Sequence, residues 1–501
     1  MDSAETLVLG SYFGLMAVLS LFGAHRYALV CLYYRNRRNV QGRPERRFER
    51  LPTVTVQLPV YNERFVVGQL LDAICALRYP RELLQIQILD DSTDETAAVL
   101  ERLVGQKRAA GEPVQYVRRR IRKGFKAGAL QAGLGKATGD LIAIFDADFT
   151  PDPDFLERLV HYFTDPAVGM VQARWAFRNR GDSLLTRVQA MLLDGHFVFE
   201  HGARARSGLF FNFNGTAGIL RRSMIEDSGG WQHDTLTEDT DLSYRAQLRG
   251  WKFVYAPHVE APSELPTDMA SFQIQQYRWA KGLVQTGLKL LPGMFRSHLP
   301  ARVKREAAFH LSANIAYPLM LVMALLILPS MLTRHGSLEG RLLWLDLPAF
   351  LMTFCSLSSF YTLAQSESGR GGALRHVWLI PAVVANGIGL AISNSQAVLG
   401  ALLGIRSEFQ RTAKYTADGT VAARARRTYR PRGGWRVWAN LLATGYFAAC
   451  LGTAVHIGHW LGLPVILLFL AGFSYAGTKM LVESRLRGGP VLQPADRPTS
   501  T

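Results

Sequence analysis

Three stretches of this 501-residue chain carry no charged side chain: Leu7 to Ala24, Leu311 to Thr333 and Leu463 to Gly477. With their neutral flanks, each approaches the roughly 20 apolar residues that a bilayer-crossing helix needs. Any active or binding part of such a chain must sit between or beside helices surrounded by lipid. The length also exceeds what one ordinary core organises, so at least two structural units are expected. Acidic residues precede the first stretch and no small-residue cleavage site follows it before Arg26, so residues 1–34 read as a retained transmembrane anchor, not a removable leader.

The formal charge of +17 would suit nucleic acid if it formed one basic face. Instead Arg35, Arg37, Arg38, Arg43, Arg46, Arg47 and Arg50 follow the first apolar stretch directly. That is the signature of a cytoplasmic membrane flank, and no nucleic-acid partner is expected. Cys31, Cys75, Cys355 and Cys450 are scattered, without close His or Cys neighbours. They fit neither a disulfide framework nor a zinc site, and suit a reducing compartment.

Residues 48–292 hold no run long and apolar enough to span a bilayer. Strand-like "TVTVQLPV" (53–60), "LLQIQILDD" (83–91), "VQYVRR" (114–119) and "DLIAIFDAD" (140–148) alternate with helical segments at 62–77, 93–108 and 124–137. This alternation predicts an α/β domain with a mostly parallel sheet covered by helices, inserted in an α-helical transmembrane bundle. Ligands of such sheets gather beyond the carboxyl ends of the strands. Asn62 and Glu63 end the first strand, Asp90 and Asp91 the second, and Asp146 and Asp148 a later one.

In "FDADF", residues at i and i+2 of an extended segment share a face, so Asp146 and Asp148 can converge on one point. A hard divalent cation bridging to a diphosphate would relieve their repulsion. The plainer alternative is a turn followed by a helix cap at Asp152 with Pro153 in the first helical position, which leaves the first two acids unexplained. "TEDTDLSYR" (237–245) is equally double-edged. Glu238, Asp239 and Asp241 could simply favour a helix N-terminus, or one of them could be a general base beside a sugar hydroxyl.

Taken together, "LPVYNE", "LDDSTDET", "KGFKAGAL", "FDADF", "TEDTDLSYR" and "QQYRW" stand in the order and spacing of the family 2 glycosyltransferases. The chain most resembles the membrane-embedded cellulose-synthase-like enzymes that make β-linked glucans and mannans, strongly from Thr53 to about Leu290 and more loosely beyond. The resemblance implies a GT-A fold, a nucleotide-sugar donor of the UDP-glucose or GDP-mannose type, and inversion at the anomeric carbon. It implies that Asp91, or less well Asp90, holds the nucleoside, with Glu63 nearby, and that Lys126 contacts the diphosphate. Asp148, assisted by Asp146, would ligate Mg2+ or Mn2+, and Asp239, beside Glu238, would be the base. Asn214 and Gly215 of "FNFNGT" would lie along the acceptor, with Asn214 standing where the synthases often have a cysteine. From "QQYRW", Gln275 and Arg278 would face the diphosphate, or Arg278 would help orient the base, and Trp279 would stack on the terminal acceptor sugar; the plainer reading is an interfacial anchor.

Further apolar regions are expected as two transmembrane helices within 307–364 and two within 437–482. The nine basic residues of 405–436 stand against only Glu408 and Asp418, which places that loop on the cytoplasmic side. Parity then requires the polar-studded segment 377–404 to be interfacial or re-entrant, giving five crossings: one before the catalytic domain and four after it. Within the loop, Phe409, Thr412 and Lys414 resemble the gating loop of the cellulose synthases, although Arg411 stands where valine is usual. Residues 483–501 read as a tail. The expected molecule is a multi-pass plasma- or inner-membrane enzyme with a cytoplasmic catalytic domain. It would polymerise a polysaccharide and pass it across the membrane, in contact with lipid and with room for an export partner subunit. The alternative is single sugar addition to a ceramide or polyprenyl-phosphate acceptor.

Overall fold

The computed structural model describes residues 3–39, 44, 46–334, 339–405, 407 and 434–485. The sheet strands are β1 (Val54–Val60), β2 (Leu84–Asp90), β3 (Val114–Arg118), β4 (Leu141–Ile144), β5 (Val168–Phe177), β6 (Gly218–Arg221) and β7 (Lys252–Ser263). Their order is β3-β2-β1-β4-β6-β5-β7. All neighbours are parallel except that β6 runs antiparallel to both β4 and β5. The β1 run VTVQLPV sets Val54, Val56, Leu58 and Val60 on one face and Thr55, Gln57 and Pro59 on the other, and six of its seven residues are buried.

Register among the first three strands is held by a buried amide ladder. Gln57 Nε2 donates to Gln87 Oε1 at 3.0 Å, and Gln87 Nε2 donates to Gln115 Oε1 at 3.1 Å. Gln57 is paired in register with Gln87, and Gln87 with Gln115. A one-residue slip would strand these amides in an apolar core, at a cost of about 1–3 kcal/mol for each unpaired group.

The strand runs read from the sequence match β1 to β4 to within a few residues, with one difference at the site. β4 ends at Ile144, so Asp146 and Asp148 are not on an extended segment. They lie in a tight turn closed by Phe149 N donating to Asp146 O at 3.0 Å. The following helix starts at Phe155, later than a cap at Asp152 would set it, with Asp154 at the N-cap position.

Four helices among the described residues are long and apolar enough to cross a membrane: Ser3–Arg35, Ala301–Arg334, Gly434–His456 and Trp460–Arg485. A fifth apolar unit is a bent pair, Ala373–Gly389 with Ala391–Leu402, angled at 45°. The helix Glu339–Glu367 stands outside that set and packs along the first helix. The domain is tied to this bundle by the 28-residue helix Met269–Arg296, which packs on the helices Ala391–Leu402 and Ala301–Ser312. Asp268 starts it by accepting from Ser271 N at 2.8 Å.

Candidate active site

The carboxyl ends of β1, β2 and β4 open onto a cavity of about 160 Å³. Asn62, left-handed at φ 57°, turns the chain at the end of β1. Its backbone N donates to Ser92 Oγ at 2.9 Å and its Oδ1 accepts from Thr93 N at 2.8 Å, which joins the β1 and β2 exits. Glu63, just beyond, is buried against the cavity.

At the end of β2 two adjacent acids part company, because neighbouring residues of an extended chain point opposite ways. Asp90 accepts from Ser92 N at 2.8 Å and from the Tyr116 hydroxyl at 2.6 Å; it is fully buried and not part of the cavity lining. Asp91 lines the cavity and is gripped by Arg119, whose Nε donates to Oδ1 at 2.7 Å and whose Nη2 donates to Oδ2. Of the two acids considered for nucleoside holding, only Asp91 therefore has access to a ligand.

Across the cavity, Lys126 Nζ donates to Asp146 Oδ1 at 2.6 Å and to the Gly215 carbonyl at 2.8 Å. One ammonium thus joins the β4 turn to the loop before β6. Asp148 stands in the same turn, lining the cavity and 8 % exposed. Among the described residues no group of three His, Cys, Asp or Glu could hold a metal by itself. The two turn carboxylates, Asp146 with one oxygen on Lys126, would hold a hard divalent ion only with further oxygen ligands from phosphate and water.

Glu238 and Asp239 open the helix Glu238–Leu248 and both face the cavity. Asp239 Oδ1 accepts from Thr240 N at 2.7 Å. Burial, reinforced by the neighbouring Glu238 charge, pushes the Asp239 carboxyl up to about 7. Burial raises Glu238 as well, opposed by Lys126. Asp241, third in the same acidic run, points away and is fully buried between Arg245 (2.7 Å) and Lys289 (2.8 Å). The motif thus divides: Glu238 and Asp239 face the cavity, and Asp241 makes buried ion pairs.

Gly215 (φ 78°) lies against Asp239, and a Cβ there would stand 2.8 Å from Asp239 Oδ2 and 3.4 Å from Lys126 Nζ. Asn214 lines the cavity with its amide held by buried neighbours: its Oδ1 accepts from Asn212 Nδ2 at 3.0 Å and lies 3.2 Å from His196 Nε2. Gln275, Arg278 and Trp279 reach the same cavity from the helix Met269–Arg296. Phe409, Thr412 and Lys414 lie outside the described residues.

Several lining residues carried no readable signal. Arg122 lies over the Tyr61 ring, 3.5 Å from its centroid, and both line the cavity. Trp175 and Phe177 enter from the end of β5, and the stretch Ser263 to Pro266 follows β7. The alternate aromatics of "RWAF" were the available clue for Trp175 and Phe177; the ion pair between Arg119 and Asp91 had none.

A mostly parallel sheet with an antiparallel strand inserted beside β4, and acids at its strand exits, is the arrangement of the GT-A fold class. Residues 52–282, somewhat under half of the chain, match the model described as "Glycosyltransferase like family 2". Similar proteins include the probable glucomannan 4-beta-mannosyltransferase 3 of Oryza sativa subsp. japonica, 46 % identical over 239 residues covering 46 % of this chain and 43 % of that protein. The glucomannan 4-beta-mannosyltransferase 2 of Arabidopsis thaliana is 43 % identical over 251 residues, 49 % of this chain and 47 % of that one. The chain thus spans about half the length of these relatives. The mannosyltransferase PcManGT from Pyrobaculum calidifontis, solved with GDP-Man and Mn2+, superposes at TM-score 0.54 with 22 % identity over 78 % of this chain and 100 % of that one, a likeness of fold.

Proposed function

We propose that the chain is an inverting hexosyltransferase that elongates a β-linked mannan or glucan from a nucleotide sugar, GDP-mannose foremost, and passes the product across the membrane. The observation that carries this reading is the meeting of Asp91, Asp146, Asp148, Asp239, Arg278 and Trp279 around one cavity. The choice of mannose over glucose rests on the mannosyltransferase names of the relatives and on the GDP-Man held by PcManGT.

The acceptor hydroxyl oxygen forms a bond to the anomeric carbon as the bond from that carbon to the diphosphate breaks. The hydroxyl proton passes to Asp239, and the electron pair leaves with the diphosphate. Lys126 and Arg278 stabilise the charge that develops there. Mg2+ or Mn2+ on Asp148 and Asp146 would supply further charge neutralisation when bound. Asp91, fixed by Arg119, holds the nucleoside, and Trp279 offers an apolar face to the terminal sugar. The basic flank Arg35 to Arg50 favours a cytoplasmic catalytic domain.

Membranes containing the chain, incubated with each labelled nucleotide sugar, are expected to make a long polymer from GDP-mannose, sized on a gel and analysed for linkage. A single lipid-soluble product would defeat elongation. Chelation by EDTA is expected to lower transfer by roughly 100-fold or more, and excess Mn2+ or Mg2+ to restore it; full activity in chelator would remove the metal from the reading.

The raised Asp239 carboxyl gives a pH dependence of definite sign. The base works only when deprotonated, so kcat/KM rises as pH climbs toward about 7 and then levels. Below that limb the rate should fall about tenfold per pH unit. A flat profile from pH 5 to 8 would exclude Asp239 as the base.

A further inference from the structure

A second cavity, of about 710 Å³, lies between the helices Ala316–Arg334, Ala391–Leu402 and Gly434–His456. It shares no lining residue with the active cavity. Its walls are apolar and include Leu321, Ile392, Ala443 and Phe447. Leu325, Leu399 and Leu442, also in the wall, are 49–76 % exposed, so the cavity opens sideways on the outer surface of the bundle. Its size falls within the roughly 300–1,000 Å³ of ligand-holding cavities.

One end differs in chemistry. Gln396 and Tyr277 line it, and the Arg436 guanidinium donates to Gln396 Oε1 through Nε at 3.1 Å and Nη2 at 2.8 Å. The same guanidinium lies 4.9 Å from the centroid of the Tyr277 ring. Among the described residues both partners of Arg436 are neutral, which leaves its charge to meet an anion. Lys281, fully buried behind this end, donates Nζ to the carbonyl of Ile405, another lining residue, at 2.7 Å and to Ser407 Oγ at 2.9 Å, which fixes that part of the wall. Trp435, exposed at this end, occupies the position of an interfacial aromatic.

We propose that this cavity binds one anionic glycerophospholipid, with an acyl chain between the three helices and its phosphate at Arg436. Apolar length, a cationic end and an interfacial tryptophan together match that amphiphile, and neutral lipid lacks the charge that Arg436 would meet. The lipid would bear on Tyr277, which immediately precedes Arg278 and Trp279, and so buttress the helix that supplies them to the active cavity. The inference requires only that these helices lie in a bilayer, and it stands apart from the transferase reading.

The test uses the full chain in phosphatidylcholine nanodiscs with or without phosphatidylglycerol, followed by native mass spectrometry of the protein released from them. One phosphatidylglycerol per chain should be retained in preference to phosphatidylcholine. Arg436→Gln should weaken retention by roughly fivefold and Arg436→Lys should restore it. Ala443→Trp, which projects an indole into the acyl-chain path, should weaken retention of the lipid. Because that variant could misfold, brominated-chain phosphatidylglycerol provides a second readout on the native protein. It should quench more fluorescence in the native protein than in Trp435→Phe. Equal retention of the two lipids, unchanged retention in Arg436→Gln, or quenching that does not depend on Trp435 would each overturn the proposal. Appearance of labelled sugar on the retained lipid would also overturn it, because the molecule would then be an acceptor.

Discussion

Asp239→Asn is expected to lower sugar transfer by roughly 10²–10⁴-fold, the usual contribution of a positioned general base. The substitution is nearly isosteric and removes a charge that burial and Glu238 already disfavour. Stability should therefore hold or rise slightly, and donor binding should persist. Initial rates, donor affinity and thermal unfolding measured on the same preparation separate these effects. Transfer within about tenfold of the native rate would sink the assignment of Asp239. Asp241→Asn is the informative companion: that acid is buried between Arg245 and Lys289. Its loss should appear as reduced stability.

Gly215→Ala should have the second largest effect, through two independent causes. At φ 78° a Cβ costs about 1–2 kcal/mol of backbone strain. The added methyl would also stand 2.8 Å from Asp239 Oδ2, inside contact distance, so the carboxylate must move. Displacement of a catalytic group by about 1 Å can cost roughly 100-fold in rate. The expected result is a rate loss of that order with a modest fall in melting temperature. A variant that loses stability but keeps its rate would mean that Asp239 can relax without consequence.

These two residues also illustrate how unevenly the site was legible. Asp239 is visible in "TEDTDLSYR" as one acid among three, and a linear pattern cannot choose among them. Helical rotation makes the choice, turning Glu238 and Asp239 to the cavity and Asp241 to Arg245 and Lys289. Gly215 is named from "FNFNGT" as an acceptor-side residue, whereas its place between Asp239 and Lys126, residues distant in sequence, is visible only in the structure. The pairing of Asp146 with Asp148 was inferred from strand alternation, whereas a turn closed by Phe149 brings both to the cavity.

Beyond β4 the sheet was hardly readable. β6 is four residues long and its neighbours β5 and β7 follow long insertions, so no regular strand–helix alternation announces them. The antiparallel placement of β6 depends on pairings with Leu141 to Ile144 and with Met170 to Gln172, contacts far apart along the chain.

The sequence by itself determined the elements whose cause is local: apolar runs long enough for lipid, the alternating strands and helices of the first half, and a set of acids at strand exits. Periodicity and charge are properties of neighbouring residues and survive in a string of letters. Only the tertiary structure decided which acid of each cluster faces the cavity, that Arg119 grips Asp91, and that a cation from Lys126 joins the β4 turn to Gly215. Those outcomes follow from how hydrogen-bond partners and ion pairs separated by tens of residues are satisfied at once within one packed interior, and no local pattern encodes that solution.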